Sequence, residues 1–183
     1  IRAAERIRYF HAATVNTMNL AQAYKTLHLY DKAYDVIVKG FHYLEDEKGA
    51  RERAKMNYLL ADLLYEMGDR TQARKALKEA GKFYGNRSSL RECVEYHLVC
   101  VTGRAEEEGP GALTSLMKSL FSQFQSEEDK THYRTLLIHG AEQALLRGED
   151  ALASHFLEVM DEYETEAEDE SEKNRADLLR ALL

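Results

Sequence analysis

The chain has 183 residues, with 32 acidic side chains against 25 basic ones and a formal charge of −7. One proline, ten glycines and no tryptophan, with Ala, Leu, Glu and Lys abundant, predict an all-α protein. An apolar content of 44% excludes a disordered chain, while the acidic balance argues against nucleic acid as a direct ligand, because phosphate binding is driven by basic surface.

Residues 1–27 read as a helix, with Ile7, Phe10, Val15, Met18 and Leu20 apolar and Ala21 small beside Leu20. A second helix follows His28–Asp31, carries Ala33, Ile37 and Gly40, and is expected to run to about Glu47. The clearest stretch is Tyr58–Tyr84. Leu60, Ala61 and Leu64 mark one helix face there, and Ala73, Leu77 and Ala80 mark the face that closes onto it. Between them Gly68 suits the left-handed residue that ends a helix, and Asp69-x-x-Gln72 is a capping-box-like start. Gly85-Asn86-Arg87 breaks the chain, and Ser89-x-x-Glu92 is expected to cap the next helix, with Tyr96, Val99, Cys100 and Gly103. Its partner begins near Pro110 and carries Ala112, Leu116 and Ser119. Ser126-x-x-Asp129 opens a helix with Leu137, Gly140, Ala141 and Ala144. Gly148-Glu149 repeats the Gly68-Asp69 turn, before Ala153, Leu157 and Met160.

Two sets of small residues keep one period. Ala33, Ala73, Ala112 and Ala153 are 40, 39 and 41 residues apart, as are Ala21, Ala61, Cys100 and Ala141. The order within Tyr58–Tyr84 resembles the tetratricopeptide repeat, whose spacing is bulky-x2-L-G-x2-Y followed by A-x3-F-x2-A. The resemblance covers four units, about residues 14–53, 54–92, 93–133 and 134–167. It is strongest in the second unit. In the third, Glu107 replaces the turn glycine and Gly103 the usual aromatic, and no unit ends in proline. The resemblance implies a single right-handed superhelix of antiparallel helix pairs over residues 1–183. Residues 171–183 are either a capping helix or the opening of a fifth unit. A pitch near 40, above the family's usual pitch of about 34, is similar to repeats in bacterial regulators, including sensory regions of some diguanylate cyclases and peptide-sensing transcription regulators.

That resemblance implies a non-catalytic module of a larger cytoplasmic signalling protein, binding a protein or peptide in a concave groove. The family's groove positions map onto Met18, Gln22 and Lys25; Tyr58, Asp62 and Tyr65; His97, Val101 and Arg104; and Ile138, Glu142 and Leu145. Tyr58 and Tyr65 are either anchors for the partner or packing residues between helices. Asp62 and Glu142 favour a ligand with cationic or hydrogen-donating groups. The lysine–asparagine clamp for a C-terminal carboxylate is replaced by Met18-Gln22 and Tyr58-Asp62, against that role. The alternative is a self-associating scaffold that forms a homodimer through an uncapped end or the last helix.

No chemistry emerges from the remaining patterns. Asp129/His132, His139/Glu142 and His155/Glu158 have helical spacing but match no metal motif, so no metal or cofactor is expected. Cys93 and His97 are one turn apart without an oxyanion-donating loop. The glycines of residues 103–111 flank three acids, which repel phosphate. Cys93 and Cys100 on one helix lie about 10.5 Å apart along its axis, too far for a disulfide, and are expected to be reduced thiols. The eight acids within residues 161–172 read as a solvated face or as a site for a basic partner. Apolar runs are too short for a membrane span, no secretory signal is visible, and a start at Ile1 without methionine is expected of a fragment of a larger protein.

Overall fold

A computed structural model describes residues 2–44, 49–85, 89–108, 110–124, 127–161, 163 and 170–183, with the side chains of residues 2–11 and a few others, Arg104 among them, outside the description. The described residues are all-α, as the composition predicts, and the chain divides into two compact units, residues 1–86 and 87–183. The first holds α1 (Arg2–Thr26), α2 (Tyr30–Phe41), α3 (Ala50–Glu66) and α4 (Arg70–Tyr84). The second holds α5 (Val94–Glu108), α6 (Pro110–Gln123), α7 (Glu127–Leu145), α8 (Asp150–Asp161) and α9 (Glu170–Leu182).

Within the first unit α1 packs along α2 and α3 along α4, and α3 also touches both α1 and α2. The second unit repeats that order. There α5 packs along α6 and α7 along α8, α7 touches both α5 and α6, and α9 in turn touches both α7 and α8. Residues 162 and 164–169, which hold most of the acidic run, lie outside the described residues, as does Ser126.

Local chemistry fixes the turns. At Gly68 the N–H bonds the Tyr65 carbonyl (2.9 Å) and the Asp69 N–H reaches back to the Leu64 carbonyl (2.9 Å). This double bond pattern satisfies the orphan carbonyls of α3 and requires a left-handed residue. Gly68 has φ +80° and Gly148 φ +72°, with the same pair of bonds at Gly148 and Glu149. His28 takes the equivalent place in the first turn at φ 55°, where its own N–H and that of Leu29 make the same two bonds. Its ring lies 2.8 Å from the Tyr30 hydroxyl, a local contact that offsets part of the cost of a side chain in that region. Asp69 then caps α4, accepting from the Gln72 N–H at 3.1 Å. The expected cap at Ser89 does not form: Leu90–Glu92 make a 3₁₀ turn instead, and α5 begins at Val94. The orphan Leu90 N–H donates to the buried Asp129 carboxylate of α7 at 2.7 Å. The α-helix α2 ends at Phe41 and continues as a 3₁₀ turn to Leu44, while Glu47 lies outside the described residues.

Burial sharpens the repeat. Ala21, Ala61 and Ala141 are buried, as are Ala33, Ala73 and Ala153, but Cys100 and Ala112 are only half-buried. Their neighbours Val101 and Leu113 are enclosed instead. The two series therefore run 21, 61, 101, 141 and 33, 73, 113, 153, an even spacing of 40 residues. A third series closes the pairs: Leu44, Tyr84 and Phe124, all buried at the same spacing. Where α1, α2 and α3 meet, a Cβ added to Gly40 would stand 2.5 Å from Met56 Cε and 2.6 Å from Thr17 Cγ2, so a side chain there requires both neighbours to shift.

Candidate functional site

The first helix of each pair carries one polar position at the 40-residue spacing: Gln22, Asp62, Thr102 and Glu142. Gln22 is exposed; the other three are half-buried and bonded to an adjacent first helix. In the first unit Lys25 of α1 forms an ion pair and hydrogen bond with Asp62 of α3, and lies 3.9 Å from Glu66. The Tyr30 hydroxyl donates to the same Glu66 at 3.4 Å. In the second unit the Thr102 hydroxyl of α5 lies 2.9 Å from His139 Nε2 of α7, and His139 Nδ1 lies 3.4 Å from Glu142 Oε2. Arg175 of α9 grips Glu142 with Nη2 at 2.7 and 2.8 Å and Nε at 3.0 Å, and the Thr135 hydroxyl donates to Glu172 at 2.5 Å. Three of these ties, Lys25–Asp62, Thr102–His139 and Thr135–Glu172, join residues 37 apart. Burial by itself pushes the Glu142 carboxyl up, but hydrogen bonds from His139 and Arg175, with the Arg175 charge, outweigh it and hold the group below the ordinary carboxylate range.

The structure places the predicted groove residues unevenly. Lys25 and Asp62 are brought together, and Met18, Glu142 and Leu145 are half-buried along the first helices. Tyr58 and Tyr65 are buried, and the Tyr58 ring packs on Tyr84 of α4 with centroids 5.9 Å apart. His97, Val101 and Ile138 are also buried, and the Arg104 side chain lies outside the described residues. The even spacing explains the third set, because the residues equivalent to Tyr58, Asp62 and Tyr65 are Leu98, Thr102 and Ala105, one position further on. Internal cations already answer the carboxylates expected to attract a cationic ligand: Lys25 meets Asp62 and Arg175 meets Glu142. Thr102, His139 and Arg175 escape a unit-by-unit reading, although the step from Asp62 to Thr102 to Glu142 is visible once the period is taken as 40.

The order Thr102–His139–Glu142 is that of a nucleophilic relay: hydroxyl, imidazole, carboxylate. Its setting is different. Thr102 lies inside α5, where backbone N–H groups are consumed by the helix and cannot form an oxyanion hole. The Thr102 hydroxyl is also 3.3 Å from the Leu98 carbonyl. Neutral His139 accepts from Thr102 at Nε2 while its Nδ1–H donates to Glu142. A protonated ring donates at both nitrogens, and the Thr102 hydroxyl then turns to Leu98. Either state ties α5, α7 and α9 together.

Other candidate pairs have structural partners. Asp129 holds the Leu90 N–H, His155 and Glu158 are exposed, and among the described residues no group of three or more His, Cys, Asp or Glu is placed to hold a metal ion. The buried Cys93 donates from Sγ to the Ser89 carbonyl at 3.3 Å, not to His97. No disulfide joins it to the half-buried Cys100. His97 packs edge-on against Tyr96 and Phe124, with centroids 5.0 and 5.7 Å away, and among the described residues neither of its ring nitrogens has a hydrogen-bond partner. Beside it in the second unit, Phe121, Tyr133 and Tyr163 form an aromatic cluster, and burial, with Asp129 and Tyr163 nearby, pushes the Tyr133 hydroxyl up to about 12. No helix among the described residues is long and apolar enough to cross a membrane. No family model, curated protein or solved structure matches the chain.

Proposed function

We propose that the chain is a non-catalytic, TPR-like module that binds a protein or peptide along its first helices, as a regulatory part of a larger cytoplasmic signalling protein. In this reading each unit is two stacked pairs of the right-handed superhelical type, with the first helices side by side. The observation that carries it is the even 40-residue recurrence of buried marks together with an exposed or half-buried polar position on the first helix of each of the four pairs. A two-helix unit cannot bury its apolar face alone, so stacking consumes the marked faces and leaves the polar line, with Met18, Leu98 and Leu145 beside it, for recognition. Because Lys25 and Arg175 already neutralise Asp62 and Glu142, the partner is read by hydrogen bonding and apolar contact rather than by net charge.

The test is selection of binding peptides from a random library, followed by hydrogen exchange of the chain with a selected peptide bound. Slowed exchange concentrated in α1 and α3, or in α5 and α7, is expected. Protection concentrated in α2, α4, α6 or α8, or failure to select any saturable binder, contradicts the reading.

A further inference from the structure

The last helix is built as the first helix of another pair. Ala181 stands 40 residues after Ala141, and Leu178 stands 40 after Ile138. The contacts follow the same plan, since α9 lies on α7 and α8 as α3 lies on α1 and α2. Its buried residues, Ala176 and Leu179, fall at the positions of Leu136 and His139 in α7 and of the buried Met56 and Leu59 in α3. The Thr135–Glu172 bond repeats the 37-residue tie seen between earlier first helices, and the Arg175–Glu142 fork fixes the helix in place.

Among the described residues nothing covers the opposite face in the same way. Asn174, Leu178 and Ala181, at i, i+4 and i+7, lie on one stripe of α9, and all three are exposed, Leu178 to 62%. In α3 the equivalent residues Ala54, Tyr58 and Ala61 are all buried, as are Arg134, Ile138 and Ala141 in α7. Tyr58 there meets Tyr84 of α4, so the stripe is the one that a first helix turns toward the second helix of its own pair.

We propose that this stripe is a docking site for one kind of partner: a single amphipathic α-helix with small residues spaced as Ala73, Ala76 and Ala80 are in α4, lying antiparallel to α9. Its first turns meet Ala181, where the absence of a larger side chain permits close approach. Its later turns bring a large apolar residue onto Leu178, as Tyr84 comes onto Tyr58. A hydrogen-bonding residue then faces Asn174, whose equivalents include the buried polar Thr14 and Arg134. The Asp177–Arg180 pair at 3.1 Å borders the stripe and gives that helix a polar edge. The proposal concerns the cover of α9 alone and does not depend on the recognition role of the polar line, which borders this stripe: Met18 and Leu98, both half-buried, hold the repeat position of Leu178 on their own helices.

The full chain extended after Leu183 by a copy of residues 64–85 supplies such a helix in register. Amide exchange across residues 176–182 is expected to slow about tenfold or more relative to the unextended chain. Introducing Leu178→Ser with Ala181→Glu into the extended chain is expected to erase the gain, while the same pair of substitutions in the unextended chain, at exposed positions, leaves circular dichroism and the melting temperature unchanged. No slowing overturns the proposal, as does equal slowing by a copy with its helical period scrambled. Concentration-dependent self-association of the unextended chain that protects α9, and is lost with Leu178→Ser, also overturns it, because the occupant is then a second copy.

Discussion

His97 is enclosed in the second unit between the rings of Tyr96 and Phe124, and among the described residues neither nitrogen has a hydrogen-bond partner. Burial alone lowers its pKa from 6.5 to about 4, because charging the ring there forfeits hydration without a compensating partner. The unfolded chain therefore binds the proton more readily than the folded one. Stability is fully present above pH 6.5, declines as pH falls toward 4, and levels off below that. The whole effect amounts to about 3 kcal/mol, at 1.36 kcal/mol per pH unit. Urea unfolding of the chain and of His97→Phe at pH 7.5 and pH 4 checks this. The phenylalanine variant should lose markedly less stability on acidification, and equal losses in both proteins would falsify the account of His97. Sequence alone gives no warning of this residue, since a histidine one turn from Cys93 looks the same whether it faces solvent, a thiol or two aromatic rings.

At the scale of the helix, register is decided by what lies across from a residue, and here the sequence is legible in some pairs and misleading in one. The Gly68 and Gly148 turns and the Asp69 cap are readable because each depends on neighbours within one turn, and the alanine series of the first, second and fourth pairs is readable because it recurs at one spacing. The α5–α6 pair is different. Cys100 and Ala112 look like the small marks, yet α5 and α6 turn the larger Val101 and Leu113 inward. A small residue signals close approach only where its partner face is also small. An even spacing of 40 moves the equivalent positions of that pair from His97, Val101 and Arg104 to Leu98, Thr102 and Ala105, and His97 and Val101 are buried. Truncating Val101 to alanine should cost about 2 kcal/mol by leaving a void, whereas Cys100→Ala should cost under about 1 kcal/mol as a change at a half-buried position. Thermal or urea denaturation of the two variants decides between the registers, and a larger loss at Cys100 restores the 39- and 41-residue spacing. The Asp129–Leu90 and Arg175–Glu142 ties are not legible at all, because each joins groups more than 30 residues apart through side chains whose direction the helical pattern leaves open.

Across the whole molecule both units follow one supersecondary plan, and within each the polar positions of the first helices stay exposed or half-buried. Tyr58 and Tyr65, attractive as anchors from their spacing, are buried, so the recognition surface we propose is built from smaller and more polar residues. The direct measurement is the affinity of a selected peptide for two variants of the full chain. One carries Met18→Ala, Gln22→Ala, Leu98→Ala and Leu145→Ala on first helices. The other carries Tyr34→Ala, Arg74→Ala, Lys78→Ala and Glu158→Ala on exposed positions of second helices. With both variants folded by circular dichroism, the account predicts a loss of about tenfold or more in the first and less than about twofold in the second. Retained affinity in the first variant together with loss in the second would contradict it.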